Sequence, residues 1–140
     1  MKVYVAGPYQ YKDRIAKRAV ELRAAGIEVT SRWIEEPDSP TTQLSQVPED
    51  LNRLYAQYDV EDLLAADTFM LFAVPADAAP IPRAGRHVEF GAALISGKRM
   101  VVVGNEMENI FHYLSQVKHF ATFEEALAYL INQSAETTGL

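Results

Sequence analysis

The chain has 140 residues, 49% of them hydrophobic, and a formal charge of −6. That length and apolar content match one compact domain with a core that stands without staples. The acidic balance repels phosphate backbones and anionic membranes, which sets nucleic acid and membranes aside as partners. The sequence holds no cysteine, so disulfides, thiol catalysis and Cys-based zinc sites are excluded together.

The N-terminal "MKVYVAGPY" carries only a short apolar run after one lysine, too short for a signal peptide. No run approaches the ~20 apolar residues of a membrane span, and the expectation is a soluble, cytoplasmic protein.

"KVYVA" (2–6) is β-branched and aromatic and stops at Gly7-Pro8, which predicts a first strand and a turn. From Asp13 the apolar positions fall in two rows, Ile15, Ala19, Leu22 and Ala16, Val20, Ala24, and Gly26 closes the helix. "IEVTSRWI" (27–34) reads as a second strand, so the segment up to about residue 34 forms the strand–helix–strand unit of a parallel sheet. Residues 35–48, rich in proline, serine and threonine, are expected to form a surface loop or lid.

Pro48, Glu49 and Asp50 make a good helix start, and Leu51, Leu54, Tyr55, Tyr58, Leu63 and Leu64 carry an apolar stripe to about Ala66. "TFMLFAV" (68–74) is almost wholly apolar, which fits a central strand covered on both faces. A loop with three prolines (75–85) delivers the chain to a helix at about 86–96 that closes on Gly97. "RMVVVG" (99–104) is another buried strand, "NIFHYL" (109–114) a short helix and "VKHF" (117–120) a last strand. A capped amphipathic helix begins at Thr122, and 134–140 is expected to be a flexible tail. The alternation predicts a single α/β domain over 1–140. Its sheet is open and doubly wound, flavodoxin- or Rossmann-like, with five mainly parallel strands and helices on both faces.

Ligands of such sheets bind outside the carboxyl ends of the strands, so loops 7–12, 75–85 and 104–109 should share one rim. Glu89 falls in the first turn of the helix after the third strand, and Asp59 lies on the helix that leads into it. Each also has an ordinary explanation. Glu89 complements the helix dipole, Asp59 and Asp62 fit a solvated helix face, Arg86 and His87 fit the surface, and Tyr4 fits a core whose hydroxyl requires a partner.

Other chemistries lack their motifs. "GPYQYKDR" is neither type of phosphate-cradling glycine loop. His87, His112 and His119 form no i, i+4 pair for zinc, and no G-x-S-x-G elbow is present. Carboxylate chemistry remains, with no cofactor and no metal expected.

In order along the chain, "KVYVAGPY", "YDVEDLLAADTFMLFAVP" (58–75), "GRHVEFGAALISGKRMVVVG" (85–104) and "NIFHYL" resemble the nucleoside 2-deoxyribosyltransferases and the related 2'-deoxynucleoside 5'-phosphate N-hydrolases. The likeness spans about 2–130 and fails in the 35–48 loop. It implies cleavage of the N-glycosidic bond of a 2'-deoxynucleoside through a covalent glutamyl-deoxyribosyl intermediate, resolved by another base or by water. By this resemblance Glu89 is the nucleophile, Tyr4 orients it, and Asp59 contacts the base and helps protonate it as it leaves.

Gly7, Pro8, Tyr9, Arg14, Gly85, Arg86 and His87 complete the substrate-binding set that the resemblance implies. Asn109 matches a position that reaches a neighbouring subunit's site near the sugar 5' end, which implies a homodimer or higher oligomer. Arg83 stands where some family members carry an acidic residue against the base. The first loop has Lys12 and Arg14 but no glycine pair, and Asn109 suits a 5'-hydroxyl, so free deoxynucleosides are the expected substrates. A 5'-monophosphate held by Lys12, Arg14 or Arg86 is the alternative within the family. A non-catalytic nucleoside- or nucleotide-binding module is the alternative from another class.

Overall fold

The computed structural model describes residues 1–37, 43–75, 77–78 and 83–137. Five strands form one sheet: β1 (Lys2–Ala6), β2 (Glu28–Val29), β3 (Thr68–Phe72), β4 (Arg99–Val103) and β5 (Val117–Phe120). All pairings are parallel, and the order is β2-β1-β3-β4-β5. The chain adds β2 on one side of β1 and then crosses back to place β3 on the other, so the order reverses between β1 and β3. In a doubly wound sheet a crevice opens at that reversal, beyond the carboxyl ends of the strands.

The central strands are continuous apolar runs because helices cover both faces. Val3, Tyr4, Val5 and Ala6 of β1 are wholly buried, and so are Phe69, Met70 and Leu71 of β3. The register sets Tyr4 against Phe69, whose rings stack at 5.9 Å.

Four helices surround the sheet: α1 (Lys12–Ala24), α2 (Glu49–Ala65), α3 (Gly85–Ile95) and α4 (Phe123–Thr137). Right-handed crossovers put α1 on one face and α2 and α3 on the other. Helix α4 returns beside α1, where Arg18 pairs with Glu124 at 3.2 Å and lies over the Phe123 ring. Of the two apolar rows on α1 only Ile15, Ala19 and Leu22 is buried throughout, and Val20 of the second row points to solvent. Gly26 takes a φ of 84°, the left-handed turn that ends α1.

The second strand is much shorter than the 27–34 expected. Beyond Val29 the chain still runs beside β1, and Thr30 N donates to Val3 O at 2.9 Å. Side chains then replace the ladder: Val5 N donates to Ser31 Oγ at 2.8 Å and Trp33 Nε1 to Val5 O at 2.7 Å. Two polar side chains thus satisfy the edge of β1, which frees the backbone to turn into a short 3-10 turn at Trp33–Glu35. The third strand likewise stops at Phe72 rather than residue 74.

The expected 35–48 loop contains a one-turn 3-10 segment, Leu44–Gln46, closed by reciprocal bonds between Gln43 and Gln46, and residues 38–42 lie outside those described. Along α2 the anticipated stripe is only partly buried, since Leu63 is in the core but Leu54 and Leu64 are exposed. The helix reaches the sheet at its C-terminal end and leans over the crevice before that. Thr122 caps α4 by accepting from Glu125 N at 3.2 Å. Helix α4 continues to Thr137, so 134–137 is helical where a tail was expected, and 138–140 lie outside the described residues. Among the described residues no helix is long and apolar enough to cross a membrane.

Candidate active site

A cavity of about 460 Å³ opens at the reversal point. Its wall takes Gly7 and Tyr9 from the loop after β1, Trp33 and Glu36 from the segment after β2, Asp59 from α2, and Arg83 and Ala84 from the approach to α3. Gly85, Arg86 and Glu89 come from α3 itself, where Glu89 lies beyond the first turn in which it was expected. Gly7 packs closely here: a Cβ would meet Ile15 Cδ1 at 2.6 Å and Phe72 Cβ at 3.4 Å, so a larger residue would push the Ile15 side chain aside.

Tyr4 lies behind the wall, fully buried on β1, and its hydroxyl donates to Glu89 Oε2. Two elements far apart in sequence therefore hold one carboxylate. The stacked Phe69 and the edge-on Phe90, at 6.0 Å from it, fill the space between the sheet and α3. Burial keeps the Tyr4 phenol protonated far above its usual range, and the Glu89 and Asp59 charges add to the effect. A tyrosine in that state is a fixed donor.

Burial raises the Glu89 carboxyl to about 8; the Tyr4 bond opposes the rise, and the nearby charges of Asp59 and Glu36 add to it. Asp59 is raised to about 7, again chiefly by burial, with Asp62 adding and Arg32 opposing. Its Oδ1 is buried and has no hydrogen-bond partner among the described residues. Both acids are therefore raised towards neutrality, with Glu89 above Asp59, so in the free site burial holds the proton on Glu89 more firmly than on Asp59. Asp62, three residues on, is structural: it accepts from Arg32 N at 2.9 Å and from Arg32 Nε at 2.9 Å.

The other residues expected at the site divide. Gly7, Tyr9, Gly85 and Arg86 line the cavity, whereas Pro8 starts the short 3-10 turn Tyr9–Tyr11 and accepts from Tyr11 N. Arg86 is nearly buried and pairs with Glu108 at 3.2 Å, and its Nη1 donates to Arg83 O at 3.3 Å. His87 is not on the cavity; its Nε2 lies 3.9 Å from Glu108, and burial with the neighbouring Arg86 charge lowers its pKa.

Asn109 caps the short 3-10 turn Ile110–Tyr113 by accepting from Phe111 N at 3.0 Å, and its Nδ2 is 3.4 Å from His87 Nδ1. It too stands outside this chain's own cavity. Arg14 is on the opposite side of the sheet, over the Tyr11 ring, in a second cleft between α1 and α4. Lys12 is buried and donates to the Glu36 carbonyl.

Trp33, Glu36, Tyr55 and Glu108 carry little signal of the site in the sequence. Trp33 lies in the expected strand 27–34 and Glu36 in the expected loop 35–48, and Tyr55 fits the apolar stripe of α2 although it faces the cavity. Glu108 had a weak signal, as an acid on the rim loop 104–109 opposite the cation at position 86. Among the described residues no group of three or more His, Asp and Glu side chains is placed to hold a metal ion.

No protein-family model matches the sequence, and no curated protein matches it. Solved structures do match the fold. A 2-deoxyribosyltransferase from the psychrotolerant bacterium Bacillus psychrosaccharolyticus is similar at a TM-score of 0.65 and 20% identity, covering 92% of each chain. The CMP N-glycosidase BcmB of Clostridium botulinum matches at a TM-score of 0.57 and 21% identity over 93% of this chain and 98% of its own. A conserved protein of Enterococcus faecalis V583 matches at 0.62 and 17%, over 96% and 98%. At these identities the likeness is one of fold.

Proposed function

We propose that the protein is an enzyme that cleaves the N-glycosidic bond of 2'-deoxynucleosides, with Glu89 as nucleophile and transfer to another base or to water. The observation that carries this reading is the carboxylate of Glu89, held by the Tyr4 hydroxyl on a cavity that also presents Asp59. The transferase and the N-glycosidase that share this fold support it.

In the proposed reaction a Glu89 oxygen bonds to C1' as the C1'–N bond breaks, and the bonding pair leaves with the base. Asp59 supplies the proton that the departing nitrogen takes up. Positive charge grows on the sugar as the bond opens, so the substrate itself favours an ionised Glu89 although burial opposes it in the free site. The resulting ester is then displaced at C1' by a second base or by water, with Asp59 accepting the incoming proton.

The three cations named for a phosphate support a free nucleoside over a 5'-monophosphate, although Arg83 also lines the cavity. Of the three named for a phosphate, Arg14 lies in the other cleft, Lys12 donates to Glu36 O, and Arg86 is paired with Glu108. We further propose a homodimer in which Asn109 serves the neighbouring site, since in its own chain it stands off the cavity.

The test is incubation with each deoxynucleoside and deoxynucleotide, with and without a free acceptor base, followed by chromatography. Base release alone indicates hydrolysis, and exchange indicates transfer; neither, from any substrate, overturns the reading. Glu89→Gln should lower turnover by roughly 10³-fold or more with the fold unchanged by circular dichroism.

A further inference from the structure

We propose that Arg83 selects the base, favouring one that offers two adjacent acceptors, as the O6/N7 edge of a 6-oxopurine does, over adenine. The proposal rests on the N-glycoside reading of the same cavity and names the class of base it takes.

Arg83 is placed with unusual care for a loop residue. Its φ of 66° makes it the one non-glycine residue with a left-handed backbone among those described. For a side chain with a Cβ that conformation is disfavoured, and it persists only where the surroundings enforce it. The guanidinium lies 4.8 Å over the Tyr9 ring, and Tyr9 in turn sits 6.2 Å from Trp33. All three line the cavity that holds Asp59 and Glu89.

The charge of Arg83 meets the Tyr9 ring but no carboxylate among the described residues. Its Nη2 is buried without a hydrogen-bond partner, and it forms no ion pair among the described residues. A buried donor left unsatisfied is costly, so the site gains most from a ligand that brings an acceptor to it. A guanidinium has donors only, arranged as a planar fork. Hypoxanthine and guanine present O6 and N7 side by side and accept such a fork with two parallel bonds, whereas adenine places its 6-amino donor where the first acceptor should be. The aromatic pair Tyr9 and Trp33 gives a planar ring a surface on the same wall.

Deoxyinosine and deoxyadenosine differ at position 6 and test the idea directly. The wild-type protein should show a kcat/KM for deoxyinosine at least tenfold above that for deoxyadenosine, and Arg83→Gly should reduce that ratio roughly tenfold. Glycine suits the left-handed backbone, so this variant keeps its fold while losing the guanidinium; an unchanged melting temperature checks it.

A ratio unaffected by Arg83→Gly, or a wild-type preference for deoxyadenosine or for pyrimidine nucleosides, overturns the proposal. So does an Arg83→Gly defect confined to 5'-monophosphates, which would assign the guanidinium to a phosphate. Calorimetry with free hypoxanthine and adenine separates this idea from the activity itself. Hypoxanthine binding that weakens about tenfold in Arg83→Gly while adenine binding does not supports base recognition even if no nucleoside is cleaved. Equal binding of both bases by both proteins overturns it.

Discussion

Glu89 and Asp59 bring two carboxyl groups to one cavity wall, and the cost of ionising them there falls on the fold. The Glu89 carboxyl stands at about 8 against an ordinary 4.5, and Asp59 at about 7 against 3.8. Between those limits the folded chain binds more protons than the unfolded one, so stability falls as pH rises from about 4 to about 8. Glu89→Gln removes about half of this burden while still accepting from Tyr4. Its melting temperature should match the wild type at pH 5 and exceed it by about 3 °C or more at pH 9. Parallel melting curves across that range would show that Glu89 carries no such burden.

Among the elements, the segment after β2 does the most to shape the crevice. Ser31 and Trp33 occupy the edge of β1 with side-chain bonds, which ends the strand early and turns Trp33 and Glu36 onto the cavity. Ser31 is 2% exposed, so Ser31→Ala leaves the Val5 N–H buried without an acceptor. The expected loss is about 1–3 kcal/mol in urea denaturation. A loss within 0.3 kcal/mol of zero would mean that the backbone closes the gap by itself. The alternation of β-branched and turn residues in 27–34 reads as strand because the polar side chains that replace the ladder look, in sequence, like ordinary members of it. Elsewhere the elements follow their patterns: the buried rows of β1, β3 and β4 and the Thr122 cap are where the spacing puts them.

For the molecule as a whole, the outer face of α3 and the turn after Asn109 bear on assembly. Val88 and Ile95 are 74% and 87% exposed, and Ile110, Phe111 and Tyr113 are also exposed. The Asn109–His87 contact joins the two segments into one surface. A second copy seated there would cover the patch, consistent with the proposed homodimer. Sedimentation should give a dimer for the wild type and a monomer for Ile110→Asp paired with Ile95→Asp. A wild-type monomer at high concentration would remove the neighbour's Asn109 from the proposed site.

Sequence alone determined the layered α/β architecture, the parallel sheet and the helix that mounts Glu89, because apolar periodicity and caps act within a few residues and do not depend on distant partners. It also singled out carboxylates on the strand-end rim. Only the tertiary structure decided which of them meet. The Tyr4–Glu89 bond spans 85 residues, the Asp59 environment depends on α2 leaning over the crevice, and the Arg83 backbone and the short β2 depend on side chains packed from other elements. Arg14, adjacent to the first loop in sequence, is turned by α1 to the far face of the sheet. Such outcomes are set by crossover handedness and by which buried polar atoms find partners, and neither is written in local spacing.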